Sequence, residues 1–66
     1  SLADAAKASA HDDPAYAISL ARLMADGGSR DTATNEILRD WHLRDAAAAS
    51  LFAEQNGLVI PKEDAQ

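Results

Sequence analysis

Apolar residues recur along this chain every three or four positions, and each run is bounded by residues suited to end a helix. In the central run Ala33, Ile37 and Trp41 fall on one stripe of a helical wheel. Thr34 and Leu38 lie at its edge, with Asn35, Arg39 and His42 opposite. Gly27-Gly28 reads as a stop before this run and Ser29 as its cap, which predicts a helix over residues 30–44. Upstream, Tyr16, Ala17, Leu20, Leu23 and Met24 share a face, with Ser19 and Arg22 opposite and Ile18 pointing away. Asp13 suits the N-cap and Pro14 the first helical position, so this helix is expected over 14–26, ended by one left-handed glycine. Leu2, Ala5, Ala6 and Ser9 place a short helix at 2–10.

Asp45 caps a fourth pattern, 46–56, whose inward stripe reads Ala48, Leu51, Phe52 and Gln55. Asn56-Gly57 stops it, and Leu58 sits where a contact back onto the last turn is usual. Val59 and Ile60 are β-branched and precede Pro61, so they should be extended. The fold class is therefore all-α: a small bundle of about four short antiparallel helices, α-hairpin repeat-like. Residues 1–57 form the helical domain and 58–66 an extended apolar, then disordered, tail. Trp41, Ile37, Leu20, Phe52 and Leu51 are the expected core.

Composition narrows this picture. A chain of 66 residues is one domain at most. It buries only about 60 % of the surface that it exposes unfolded. Sixteen residues are alanine, which favour helix but add little volume to bury. So thin a core asks for close helix packing, a second copy, or a further part of a longer chain. The chain opens on Ser1 rather than methionine, as a fragment or a processed product would. It has no cysteine, hence no disulfide or thiolate site.

The net charge of −5 argues against nucleic acid, whose binding rests on clustered Lys and Arg. The longest uncharged apolar stretch, 46–53, is far short of the roughly 20 residues that a membrane helix needs. His11-Asp12-Asp13 is the one dense polar cluster, and it reads as a capped turn with a solvated histidine rather than a metal or acid–base site. Asp40 and Arg44 are spaced as a helical ion pair. Ser29 has no histidine near it in the sequence, and Gly27-Gly28 lacks the phosphate-loop pattern. No catalytic set, metal or cofactor is expected.

A shift of 32 residues, the separation of Asp13 from Asp45, lays 13–17 on 45–49 and Leu20-Ala21 on Phe52-Ala53. It also lays Ala5-Ala6-Lys7 on Ile37-Leu38-Arg39. A period near 34 suits stacked helix pairs. Asp13-Pro14-x-x-Ala17, then Asp26-Gly27-Gly28-Ser29-Arg30-Asp31, then Trp41-x-x-x-Asp45-Ala46-x-x-Ala49 resembles the alanine-rich bacterial α-hairpin repeats, tetratricopeptide-like in architecture. The resemblance covers residues 13–53 and implies a helical scaffold without defined chemistry.

The function expected is a non-catalytic protein-binding module working through apolar surface that its helices leave uncovered. Two surfaces are candidates: Ile18 with Ala8, or the tail Leu58-Val59-Ile60 with the groove that receives it. The partner is another protein, basic or neutral rather than acidic. The alternative is a homo-oligomer, a helical bundle completed by self-association.

Overall fold

The computed structural model describes residues 1–62, so residues 63–66 of the expected tail lie outside the described part. Four helices follow one another: α1 Leu2–Ser9, α2 Pro14–Ala21, α3 Gly27–Arg44 and α4 Ala46–Asn56. No strand occurs among the described residues. The chain is a small all-α bundle in which α1 packs on α2, α2 on α3, and α3 on α4.

Aspartates start three of the helices. Asp13 accepts from the Tyr16 N–H at 3.2 Å, and Asp45 from the Ala48 N–H at 3.1 Å. Each satisfies one of the donors that a helix start leaves orphaned. The two caps share a backbone conformation, φ −144°, ψ 74° at Asp13 and φ −152°, ψ 83° at Asp45. α1 is capped by Ser1, whose hydroxyl accepts from the Asp4 N–H at 3.3 Å. At the far end Gly57 closes α4 in the left-handed conformation at φ 66°, and the Leu58 N–H reaches back to the Ala53 carbonyl at 2.9 Å.

The junction between α2 and α3 differs from the sequence expectation. α2 ends at Ala21, not near Asp26. Leu23 and Met24 donate to Leu20 and Ala21, three residues back, so the helix tightens and unwinds. Asp26, not Ser29, caps α3, accepting from the Ser29 N–H at 2.8 Å. Gly27 and Gly28 are the first two residues of α3, and neither has a positive φ. Glycine weakens a helix interior, but in a first turn the strong cap alongside offsets that loss.

The core is built of small side chains. Ala6, Ala17, Ala21, Ala49 and Ala53 are buried together with Ile18, Ile37, Leu38 and Thr34. Trp41, Leu20 and Phe52 pack half-buried against it. The Trp41 and Phe52 rings are 5.2 Å apart and tilted by 53°, joining α3 to α4. Leu51 does not belong to the core: it is 55 % exposed. On α4 it lies nearly opposite Ala49 and Ala53, which face α3.

Ile18 is the second correction. It is fully buried, so it offers no binding surface. α2 lies between α1 and α3 and buries Ala17, Ile18 and Ala21, an arc turned by roughly 140° from the Tyr16–Leu20–Leu23 side. Alanines allow backbones to approach most closely, so the closest contact forms where they lie rather than where the largest side chains lie. Ile18 fills the space beside them.

Candidate partner-binding surfaces

Burial of the Ala17–Ile18–Ala21 arc turns the other side of α2 outward. Tyr16, Leu20 and Leu23 follow one another there at spacings of four and three residues, which keeps them neighbours along one side. Tyr16 is 53 % and Leu23 68 % exposed, with Leu20 half-buried between them. By hydrophobicity alone this stripe is the one expected to face inward. Its apolar pattern was legible, and its direction was not.

The tail forms a second surface. Residues 58–62 follow Gly57 without regular secondary structure. Burial alternates along it: Leu58 and Ile60 pack against the core while Val59 points outward, 83 % exposed. The tail lies along the side of α3 that no helix covers. Arg39, His42 and Leu43, at helical spacings of three and four, form one wall of a groove of about 440 Å³, and Ile60, Pro61 and Lys62 the other. Arg39 and His42 are half-buried and Leu43 is exposed. In the sequence Arg39 and His42 stand opposite the apolar stripe of α3, and Leu43 follows them. An apolar residue four positions after an arginine on a polar face was the available signal.

A third concavity lies between α1 and the first half of α3. Ala3 and Lys7 face Ala33 and Glu36 across a groove of about 560 Å³ that Met24 and Asp26 help to line. It narrows onto Ala6 and Ile37 in a cleft of about 60 Å³. A recess of about 310 Å³ between Arg22, Arg30 and Leu58 borders Thr34, whose buried hydroxyl has no hydrogen-bond partner among the described residues.

The expected site residues are not brought together. Ala8 is exposed on α1, Ile18 is interior, and Leu58, Val59 and Ile60 belong to the tail surface. His11 contacts Asp12 at 3.2 Å, and both are exposed. Asp13 beside them is occupied as a cap. Among the described residues no group of three His, Cys, Asp or Glu side chains could hold a metal ion. Arg44 pairs with Asp40 at 2.9 Å and donates to the carbonyls of His11 and Ala10 at 3.2 and 3.4 Å. It thereby ties the end of α3 to the α1–α2 corner. The Asp26 carboxyl is held below its ordinary range, chiefly because it accepts the Ser29 backbone N–H.

These features define a small helical bundle with an alanine core, an outward apolar stripe and a tail-walled groove. Among the described residues no helix is long and apolar enough to cross a membrane. No protein-family model, curated protein or solved structure matches the chain.

Proposed function

We propose that this domain is a non-catalytic protein–protein interaction module, and that its principal contact is the Tyr16–Leu20–Leu23 side of α2. The observation that carries the reading is the inversion of side-chain size across that helix. The face turned to the core holds Ala17 and Ala21 beside Ile18, while a tyrosine and a leucine, each more than half exposed, stand on the outside. A line of large apolar groups at helical spacing matches the way a helix presents anchors to a complementary groove. The scaffold reading implied by the α-hairpin resemblance agrees with this role, and the two aspartate caps of equal geometry support it.

Self-association is the competing reading, since the same stripe could meet its copy. Sedimentation of the parent domain at two concentrations and of Tyr16→Asp and Leu23→Asp variants separates them. A monomeric parent whose captured partners are lost in both folded variants supports a hetero-partner module. A concentration-dependent parent mass that both variants abolish transfers the stripe to self-association. If both variants fold and retain every partner of the parent, the stripe is not the contact.

A further inference from the structure

We infer that the groove between the tail and α3 is a second docking site, one that takes an acidic segment of a partner protein with apolar residues beside its carboxylates. The chain carries six Lys and Arg against eleven Asp and Glu, yet this groove gathers Arg39, Lys62 and His42, and no carboxylate among the described residues lines it. Among the described residues the buried Arg39 Nε–H has no acceptor and Arg39 forms no ion pair. A guanidinium offers five donors in a planar fork that matches a carboxylate, so an incoming Asp or Glu side chain would pair with the Arg39 head group. Leu43, Ile60 and Pro61 line the same groove, and Leu43 is 65 % exposed. A bare inorganic anion would leave that apolar wall uncovered, whereas a peptide of mixed character covers both parts.

Charge selects the partner here by proximity. At physiological salt, charges more than about 8 Å apart are largely screened. The net charge of −5 therefore governs encounter, while Arg39 and Lys62 govern contact. The same net charge disfavours a polyanion such as nucleic acid, which would bring many phosphates against the acidic body.

The test is a titration of the full chain, ¹⁵N-labelled, with an acetylated and amidated hexapeptide alternating Leu and Glu, read by nuclear magnetic resonance at the Arg39 Nε–H and the Leu43 and Ile60 amides. A second peptide replaces each Glu by Gln. The expected result is a saturable displacement of the Arg39 Nε–H with the Glu peptide and at least tenfold weaker binding of the Gln peptide. Arg39→Gln should weaken the Glu peptide at least tenfold, and Lys62→Gln, on the exposed tail, several-fold in a chain whose fold is not at risk. Equal affinity for the two peptides, no saturable shift at Arg39, or an unchanged affinity in Lys62→Gln together with a folded Arg39→Gln would overturn the assignment. None of these outcomes bears on the α2 stripe, which lies on another helix.

Discussion

Replacing Ile18 by alanine and, separately, Leu51 by alanine sets the packing against the helical-wheel reading, because the two accounts predict opposite rankings. Ile18 is fully buried, and burying such a side chain is worth roughly 1.5–3 kcal/mol in transfer alone. Its neighbours Ala17 and Ala21 are too short to fill the space left behind, so a cavity remains. Isoleucine-to-alanine changes in such settings cost about 2–5 kcal/mol. Alanine's better helix propensity returns a few tenths of a kcal/mol. The expected loss is about 3 kcal/mol, against a total of roughly 3–10 kcal/mol for a domain of this length. Leu51 is 55 % exposed, so Leu51→Ala should cost less than about 1 kcal/mol. Thermal melts followed by far-ultraviolet circular dichroism should show Ile18→Ala lower by at least about 12 °C and Leu51→Ala by only a few degrees. Urea midpoints should rank the same way. Equal losses, or the larger loss at Leu51, would refute the packing of α2 and α4 described here.

Four further outcomes follow from local geometry. Gly28→Ala should stabilise by about 0.5 kcal/mol in chemical denaturation, since φ there is not positive and an added Cβ would meet Asp26 Oδ2 at an ordinary 3.5 Å. Gly57→Ala should instead destabilise by about 1 kcal/mol through its left-handed backbone at φ 66°; a neutral result there would mean that the cap relaxes. Thr34→Val should raise stability by about 1 kcal/mol, because a methyl replaces a buried hydroxyl that has no partner among the described residues. Asp26 is held below its ordinary value of 3.8 by the Ser29 N–H. Its contribution is therefore fully present above that pH and lost as pH falls through the lower folded value. The stability gap between parent and Asp26→Ala should narrow on acidification below about pH 3.8, and a gap that widens would contradict the cap.

Helix count and the caps at Asp13 and Asp45 were legible in the sequence because they depend on residues three apart in the chain. So was the Gly57 stop. The α2–α3 junction was misread for a reason that is equally local. Two adjacent glycines suggest a stop, yet Asp26 stands three residues before Ser29, where its carboxylate can cap, and the stronger cap moved the helix start forward. The direction of each apolar face was less legible. A helical wheel weights residues by hydrophobicity, which favours Tyr16, Leu23 and Leu51 over Ala17, Ala21 and Ala49. Which side is covered depends on the neighbouring helices, and that is long-range information. The groove that the tail forms with Arg39, His42 and Leu43 required the position of α3.

The alanines connect fold to proposed function. At the shift of 32 residues, Ala6 coincides with Leu38, Ala17 with Ala49 and Ala21 with Ala53, and all six are buried. The chain thus packs both helix pairs, α1 with α2 and α3 with α4, through equivalent positions. The correspondence breaks at Ile18, whose counterpart Ser50 is exposed. The neighbours account for the break: α2 has a helix on each side, α1 and α3, whereas α4 packs chiefly on α3. Small residues at the crossing points bring the helix axes close, and close axes leave little room between them for large side chains. Tyr16, Leu23, Leu43 and Leu51 are accordingly all more than half exposed. The apolar surface proposed to bind a partner is then a consequence of how the bundle is held together, so enlarging Ala17 or Ala49 should disturb that surface along with the core.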